Sequence, residues 1–376
     1  MSDNKSFVLQ SVGKVSYENH PIPEIRDDEV LVEVKKTGIC GSDVHFLVDG
    51  RIGDLIVESP MVLGHESSGV IYKVGSGVRN VKPGDRVALE PGVSCRKCEA
   101  CKTGRYQLCP HMSFAATPPK DGTLARYYRL PEDLVYTLPE SLSLEDGAMM
   151  EPLSVGVHSV FTQAKLQPNQ SIAVFGCGPI GLLAMAVARA IGASRIIAVD
   201  IVESRLNFAK TYAATDVFQP PPFQDGESKI AYSRRSAGLL KETLGVEDRG
   251  DKAIDVVLDA SGAEVSIQTG IFVAKVGGTF VQVGMGHPEV VVPITSLLIK
   301  ELTLKGSFRY GPGDYRLAIA LASKKLVDLR PIVTHRFTFE DAETAFNATK
   351  KGKSEDGKDL IKAIISGPGV SVEEGV

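Results

Sequence analysis

The feature that most constrains this chain is an uncharged central run that joins a strand, a glycine-rich turn and a helix. Ser171 to Gly176 (SIAVFG) is typical of a buried strand, and Ile180 to Ile191 is typical of an apolar helix. The turn at 176–181 reads GCGPIG, a G-x-G-x-x-G. The next strand, Arg195 to Asp200 (RIIAVD), precedes another helical stretch, Glu203 to Thr211. Strands that alternate with helices predict a parallel sheet covered on both faces.

The position of this turn, between a strand and a helix, is the one that a dinucleotide-binding fingerprint requires. Gly176 permits the tight turn, Gly178 lets the backbone approach a pyrophosphate, and Gly181 lets the helix pack against the strand. Pro179 and Ile180 begin the helix, whose N-terminal N–H groups attract phosphates. The sequence therefore predicts a bound dinucleotide at this turn.

Asp200 ends the second strand, 24 residues after the first glycine, where a carboxylate can accept hydrogen bonds from ribose hydroxyls. A 2′-phosphate beside it would meet a like charge, at a cost of about 4 kcal/mol at an intermediate dielectric. Ile201 and Val202 offer no cation to hold a phosphate, and Arg205 lies further on, where it could stack on the adenine side. NAD is therefore favoured over NADP.

The first third of the chain has a different pattern, with short β-like runs broken by Gly and Pro. Examples are Glu29 to Val34, Ser68 to Val74 and Asp85 to Leu89. They predict a small, irregular, barrel-like β domain. By contrast, Ala253 to Asp259 and Gly278 to Val283 continue the strands of the parallel sheet.

Two stretches need a decision between interpretations. Ser171 to Ala188 runs eighteen residues without a charge, a length that can span a membrane, but its glycines and proline favour a strand, a turn and a buried helix. Gln219 to Leu240 is polar with three consecutive prolines, so we interpret it as a surface loop that leads into a helix near Ala237 to Leu244.

Met1 to Phe7 lacks the apolar core of a signal peptide, and we expect a cytoplasmic protein.

Four of the six cysteines fall within fifteen residues, in the pattern C-x2-C-x2-C-x7-C. They are Cys95, Cys98, Cys101 and Cys109. Four thiolates at this spacing can enclose one tetrahedral zinc ion and leave no open position. An iron–sulfur cluster and a disulfide cluster are the alternatives. The pattern indicates a metal without indicating a reaction.

A second set of residues has the composition of a reactive metal site. A zinc ion that acts as a Lewis acid needs three protein ligands and one exchangeable position. Cys40, His65 and Glu66 supply a thiolate, an imidazole and a carboxylate, and Glu151 could add a carboxylate directly or through water. Each residue alone would be interpreted as an ordinary core or capping residue, but together they favour a metal site.

These motifs in combination resemble the zinc-containing medium-chain dehydrogenases, and within them the polyol branch. The matching segments are TGICGSDVH at 37–45, GRIG at 50–53, GHE at 64–66, the cysteine quartet, EPLSVGVH at 151–158, GCGPIG at 176–181 and SFRY at 307–310. The resemblance implies an α/β fold with a GroES-like β-rich catalytic domain and a Rossmann domain with a doubly wound parallel sheet. The implied boundaries are 1–160 with a structural zinc loop at 92–112, then 161–300 for NAD, then 301–376 for the rest of the catalytic domain.

The resemblance also implies roles for individual residues. The implied catalytic zinc ligands are Cys40, His65 and Glu66, with Glu151 near the metal. The implied proton relay is Ser42 and His45, with Asp43 orienting the imidazole on the metal. The implied substrate contacts are Phe46, where animal sorbitol dehydrogenases commonly carry Tyr, and Arg309 and Tyr310. The implied cofactor contacts beyond the fingerprint, Asp200 and Arg205 are Val283, Met285, Phe308 and Arg309.

The implied activity is the zinc- and NAD-dependent oxidation of a polyol to a ketose, with two zinc ions per subunit. The segment at 109–119 resembles that of xylitol dehydrogenases more than that of arabinitol 4-dehydrogenases. The resemblance therefore favours xylitol, giving D-xylulose, and leaves sorbitol and L-arabinitol open. The implied assembly is a homotetramer through a strand near Gly278 to Gly286 that extends a neighbour's sheet, or a dimer in which that segment is only the last strand. A net charge of −4 with no basic run predicts no nucleic-acid partner, and we expect no membrane partner. A non-catalytic NADH-binding zinc protein, or a redox sensor, is the alternative from another class.

Overall fold

The computed structural model describes residues 3–376, and the chain forms two compact units. The first contains the chain up to Glu151 together with Gly311–Val376, and the second contains Pro152–Tyr310. The second unit is thus a continuous stretch of chain, whereas the first is assembled from two stretches.

The strands are β1 (Asn4–Ser11), β2 (Lys14–His20), β3 (Glu29–Gly38), β4 (Arg51–Ile52), β5 (Leu55–Ile56), β6 (Met61–Val62), β7 (Glu66–Val74), β8 (Arg86–Leu89), β9 (Gly92–Val93), β10 (Ser113–Phe114), β11 (Tyr127–Pro131), β12 (Val135–Thr137), β13 (Ser171–Phe175), β14 (Arg195–Val199), β15 (Asp216–Phe218), β16 (Ile254–Asp259), β17 (Ala274–Gln282), β18 (Thr303–Gly306), β19 (Val333–Phe337) and β20 (Lys362–Ser366). The α-helices are α1 (Gly41–Asp49), α2 (Glu99–Lys102), α3 (Leu144–Ala148), α4 (Met150–Val157), α5 (Pro179–Ile191), α6 (Glu203–Tyr212), α7 (Lys229–Leu244), α8 (Glu264–Val273), α9 (Ile294–Ile299), α10 (Asp314–Ser323) and α11 (Ala342–Lys351).

The second unit is built on a six-stranded sheet in the order β15-β14-β13-β16-β17-β18, in which every neighbouring pair is parallel. From β13 the chain moves outward to β14 and β15, then returns to β16 and moves outward the other way. The switch point of this doubly wound sheet therefore lies between β13 and β16, where ligands bind at the carboxyl ends of strands. The predicted parallel sheet is confirmed.

The central strands of this sheet are buried on both faces, which explains why they read as apolar runs rather than alternating ones. All five residues of β13 are buried, and α5 buries eight of its thirteen residues. This packing accounts for the uncharged run from Ser171 to Ala188, because a buried strand, a turn and a buried helix follow one another without a break. In the described part of the chain, no helix has the length and apolarity needed to cross a membrane.

The first unit is organised around a sheet whose main path is β12-β8-β7-β3-β20-β19, with β11 also paired to β3. β3 pairs antiparallel with both β7 and β20, so the late strand β20 lies beside the early strand β3. An apolar core packs under β1, α1 and α11 and includes Phe7, Phe46, Leu63 and Phe346. The irregular β domain predicted for the first third is confirmed, and the last segment of the chain completes it.

Two expectations about the second unit are wrong. The segment Gly278 to Gly286 is not the last strand, and its strand residues, 278–282, have no free edge, because β17 pairs with β16 on one side and with β18 on the other. The surface loop predicted for Gln219 to Leu240 is helical in its second half, because α7 begins at Lys229. Ser228 caps α7, since its side chain accepts a hydrogen bond from the N–H of Ala231.

Candidate functional site

The first unit brings Cys40, His65 and Glu66 together, as the sheet register requires. Gly38 ends β3 and pairs with Glu66, the first residue of the antiparallel strand β7. Cys40, two residues past β3, and His65, just before β7, therefore meet at the same end of the sheet. Their ligand atoms and a carboxylate oxygen of Glu66 all lie within 4.8 Å of one another. Two ligands of one zinc ion are at most about 4.6 Å apart, so small rotations suffice for all three to share an ion.

Asp43 fixes the orientation of this cluster from the first turn of α1. It is fully buried, and its carboxylate accepts hydrogen bonds from the N–H of Gly64 at 3.1 Å and from Nδ1 of His65 at 3.3 Å. The main-chain N–H of Cys40 also points at it, at 3.4 Å. Because Nδ1 donates to Asp43, the lone pair of His65 is on Nε2, which is the arrangement that metal-binding histidines use.

The charge around the cluster also suits a cation. Burial lowers the pKa of His65, but Asp43 and Cys40 outweigh it and hold that pKa well above the usual value. The negative charges around His65 therefore stabilise a positive charge at this position. Either a proton or a metal ion can supply that charge. The thiolate, imidazole and carboxylate present here fit zinc.

Lys362, which the sequence reasoning missed, lies beside the cluster at the start of β20. It is almost fully buried, its ammonium group forms an ion pair with Glu66, and it donates to the carbonyl of Ile39 at 2.9 Å. A side chain at Gly38 would collide with this pair, since a Cβ there would lie 2.2 Å from Oε2 of Glu66. The signal in the sequence is the lysine at the start of a mainly apolar strand, KAIIS. A cation buried in such a strand needs an anionic or hydrogen-bonding partner.

The other site residues predicted for this unit differ in how deeply they are buried. Glu151 is buried in α4. Burial lowers the pKa of Lys362, but Glu66 and Cys40, with a smaller contribution from Glu151, raise it above its usual value. Ser42 is half-buried and His45 is exposed on α1, where Nδ1 of His45 lies 2.9 Å from Asp49 Oδ2. Phe46 is only 3% exposed and packs into the apolar core.

The cysteine quartet forms a second candidate metal site in the first unit. The four sulfur atoms of Cys95, Cys98, Cys101 and Cys109 lie within 4.8 Å of one another. Cys98 Sγ is 3.5 Å from Cys101 Sγ and 3.8 Å from Cys109 Sγ. A tetrahedral zinc ion with bonds of about 2.3 Å has S–S edges of about 3.8 Å, so these separations fit zinc. All four cysteines are free thiols, so the disulfide alternative is not seen.

The second unit places the glycine fingerprint at the carboxyl end of β13. Gly176 has φ of +95°, a conformation that side chains rarely adopt, and Gly178 faces open space at its Cβ position. A Cβ at Gly181 would lie 1.8 Å from the carbonyl oxygen of Gly176, so only glycine allows this close packing. Pro179 begins α5 and no side chain caps it, so the helix offers its N–H groups at the open cradle beside Gly178. This cradle fits a pyrophosphate.

Asp200 follows β14 on the same edge of the sheet. It is 9% exposed, and its two carboxylate oxygens accept hydrogen bonds from the N–H of Cys177 at 2.7 Å and of Val202 at 2.9 Å. The carboxylate is therefore held beside the glycine turn, and within residues 3–376 these hydrogen-bond partners are main-chain N–H groups rather than cations. Arg205 is exposed on α6.

The other predicted cofactor and substrate residues of this unit follow β17 and β18. Val283 and Met285 lie in the turn after β17, with Met285 exposed. After β18, Phe308 is exposed, and the guanidinium carbon of Arg309 lies 4.7 Å from the centre of its ring. Arg309 has φ of +54°, and Tyr310 is buried.

The chain belongs to the zinc-binding dehydrogenases with a GroES-like domain. Residues 26–140 match the family described as "Alcohol dehydrogenase GroES-like domain" and residues 179–324 match "Zinc-binding dehydrogenase". The predicted fold class, and a zinc- and nicotinamide-dependent dehydrogenase, are confirmed by this membership.

Individual relatives are similar along nearly the whole chain. A probable D-xylulose reductase A of Aspergillus terreus is 54% identical over 97% of this chain and 99% of its own length. The D-xylulose reductase A of Aspergillus oryzae is 53% identical over 97% of both chains. Among solved structures, L-idonate 5-dehydrogenase of Escherichia coli matches with a TM-score of 0.84 and 26% identity, covering 96% of this chain and 98% of its own.

Proposed function

We propose that this protein is an NAD- and zinc-dependent polyol dehydrogenase that interconverts xylitol and D-xylulose. The observation that carries the proposal is the cluster of Cys40, His65 and Glu66, because a thiolate, an imidazole and a carboxylate with a fixed tautomer suit a Lewis-acidic zinc. The substrate class follows the fungal relatives named D-xylulose reductase, at 53–54% identity.

Cys40, His65 and Glu66 would hold the catalytic zinc, with Glu151 as a further carboxylate. A bound zinc ion supplies Lewis acidity, which lowers the pKa of a polyol hydroxyl. Asp43 keeps Nε2 of His65 free to bind the metal, and Lys362 balances the charge of Glu66 so that the buried carboxylates do not repel one another. The cysteine quartet would hold the second zinc, with a structural role.

The proton released from the hydroxyl is assigned to Ser42 and His45 on α1. Ser42 is half-buried and His45 is exposed three residues later, so the helix offers a path from the buried cluster toward solvent. Asp49, at 2.9 Å from Nδ1 of His45, orients that ring. We assign the substrate-lining role to Phe46, Arg309 and Tyr310.

The second unit would bind NAD at the carboxyl edge of its sheet. The cradle at Gly178 and the free N-terminus of α5 suit the pyrophosphate, and Asp200 suits the adenosine ribose. A nicotinamide held there would supply the hydride acceptor. Asp200 disfavours NADP because its carboxylate would face the 2′-phosphate. Val283, Met285, Phe308 and Arg309 are the further cofactor contacts in this proposal.

The test is an initial-rate panel of xylitol, sorbitol, L-arabinitol and ribitol, each with NAD and with NADP. We expect xylitol with NAD to give the highest kcat/KM. Higher kcat/KM for sorbitol or L-arabinitol would reassign the substrate. Failure to oxidise any polyol, in a preparation that holds two zinc ions per chain and binds NADH, would overturn the enzyme proposal in favour of a non-catalytic NADH-binding protein.

We also propose that the protein is a homo-oligomer, with a tetramer favoured, in which β18 pairs with a second copy. β18 is the outer strand of the parallel sheet and carries Leu304, which is half exposed. Ile294, Leu298 and Ile299 on α9 are each at least 65% exposed. An outer strand next to large exposed apolar side chains is typical of a surface that another chain covers. Light scattering on Leu298→Asp should show smaller particles than wild type, and an unchanged mass would refute this interface.

A further inference from the structure

Asp259 is a fully buried carboxylate in the second unit that the proposed function does not use. It ends β16, where it lies level with Phe175 on β13 and with Gln282 on β17. The residue that follows Phe175 is Gly176 of the glycine fingerprint. Asp259 is therefore at the carboxyl edge of the sheet, beside the switch point where a dinucleotide binds.

Every hydrogen-bond partner of this carboxylate that the structure gives is a donor. Oδ1 accepts from Oγ of Ser261 at 2.7 Å and from the N–H of Ser261 at 3.4 Å. Oδ2 accepts from the N–H of Gly262 at 2.8 Å and from Nε2 of Gln282 at 2.7 Å. Gln282 also donates to the carbonyl of Gly284 at 2.8 Å. The carboxylate thus holds the switch loop, 260–263 after β16, directly, and reaches the outer loop, 283–286 after β17, through Gln282. The main-chain carbonyl of Asp259 also accepts from the N–H groups of Val283 at 2.9 Å and Gly284 at 2.8 Å.

Glycines bring the backbones of these loops into direct contact. A Cβ at Gly284 would lie 2.4 Å from the nitrogen of Gly262, and one at Gly286 would lie 1.9 Å from the oxygen of Gly262. On the other side, a Cβ at Gly176 would lie 3.0 Å from the nitrogen of Ser261. The switch loop is therefore packed between the glycine fingerprint and the outer loop, with no room for a side chain at these contacts.

From this arrangement we infer that Asp259 is a positioning residue for the cofactor, and that it sets the part of the crevice that receives the nicotinamide half. The inference rests on the proposed binding of NAD. The glycine fingerprint and Asp200 serve the phosphates and the adenosine ribose on the β13–β14 side. The switch loop and the outer loop, which carries Val283 and Met285, form the β16–β17 side. The four donors on the Asp259 carboxylate fix the switch loop and the side chain of Gln282 against the main-chain bonds that hold the outer loop.

The test replaces Asp259 with asparagine, which keeps the volume but turns one oxygen into a donor. Because its partners all donate, at least one of them then faces another donor. We expect the Kd for NADH, measured by fluorescence titration, to rise by about tenfold or more. The Kd for AMP, which occupies only the adenosine side, should stay within about twofold of wild type.

Asp255→Asn is the matched control, because Asp255 lies on the same strand at the opposite end of the sheet. There it accepts from the N–H of Ser171 at 2.8 Å and pairs with Lys275. It should change the thermal stability and leave the affinities for NADH and AMP unchanged. This comparison separates a role in the crevice from a general role in the stability of β16.

Unchanged NADH affinity in folded Asp259→Asn would overturn the inference, and so would equal weakening of NADH and AMP. Should this variant melt below the assay temperature, Gln282→Met decides, since it removes the bridge to Gly284 and leaves Asp259 in place. It too should weaken NADH selectively, and wild-type affinity would refute the role of the bridge. Wild-type protein that fails to bind NADH at all would overturn the proposed function itself, and the role of Asp259 with it.

Discussion

Replacing Asp43 with asparagine should weaken zinc binding by the cluster of Cys40, His65 and Glu66. Zinc binding by the cysteine quartet should stay unchanged. Asp43 is buried and holds three donors, namely the N–H of Gly64, the N–H of Cys40 and Nδ1 of His65. Gly64 and His65 share Oδ1, and the N–H of Cys40 faces Oδ2. An asparagine turns one of these oxygens into a donor, so either Cys40 or the pair of Gly64 and His65 then faces a donor, and the negative charge beside the imidazole is lost. Nothing in the cysteine quartet is hydrogen bonded to Asp43.

The expected rise in the Kd for zinc follows from the role of Asp43 in orienting His65. Loss of a group that orients a metal-bound histidine costs about 10–100-fold in metal affinity or activity. That range corresponds to about 1.4–2.8 kcal/mol. We therefore expect the Kd of the more weakly held zinc to rise 10–100-fold, while the quartet keeps its ion.

The assay is zinc release to a chromophoric chelator, followed as two separate phases, together with kcat for xylitol at saturating zinc. Asp121→Asn is the control, since Asp121 also accepts a main-chain N–H, from Val62 at 2.8 Å, in the same unit. Asp43→Asn protein with both wild-type phases and a wild-type kcat would refute the reasoning. Equal weakening by Asp121→Asn would show that the loss of any main-chain partner in this unit has the same effect.

The remaining predictions concern the cofactor turn and the quartet. Asp200→Asn removes the charge that opposes a 2′-phosphate, so the kcat/KM ratio of NAD to NADP should fall by about tenfold or more, and an unchanged ratio would contradict the assignment. Gly181→Ala should lower the free energy of unfolding by about 1–3 kcal/mol in urea titrations, because its Cβ would meet a carbonyl oxygen at 1.8 Å. Gly238→Ala, in open space on α7, should instead raise it by about 0.5–1 kcal/mol. Cys98→Ser should leave one zinc per chain by elemental analysis and lower the melting temperature, whereas two zinc ions would refute the quartet as a metal site.

The parallel sheet could be predicted from the sequence because its signals are local. The strand from Ser171, the glycine turn and α5 are adjacent in the chain, and each carries a strong pattern. Arg195–Val199 and Glu203–Tyr212 then match the predicted strand and helix to within about one residue. The candidate ligands were also predictable, since TGICGSDVH and GHE are short and distinctive.

Where the prediction failed, the deciding contacts are polar or distant in sequence. α7 was interpreted in part as a loop because its buried face includes Ser233 and Ser236 rather than a full apolar stripe. Ser233 hydrogen-bonds to Gln268 of α8 at 2.9 Å, a pairing that helical apolar periodicity does not reveal. Lys362 lies nearly 300 residues from Glu66 in sequence, so only the antiparallel pairing of β20 with β3 brings them together.

The discontinuous first unit has a consequence for how the chain is synthesised. β3 cannot gain its β20 neighbour, and Glu66 cannot gain Lys362, until residues 362–366 have left the ribosome. The stretch from Pro152 to Tyr310 is complete well before that point and has its own sheet and core. During translation the nucleotide-binding unit is therefore free to fold first, whereas residues 36–38 of β3 in the metal-binding unit lack their β20 partner until synthesis is nearly finished.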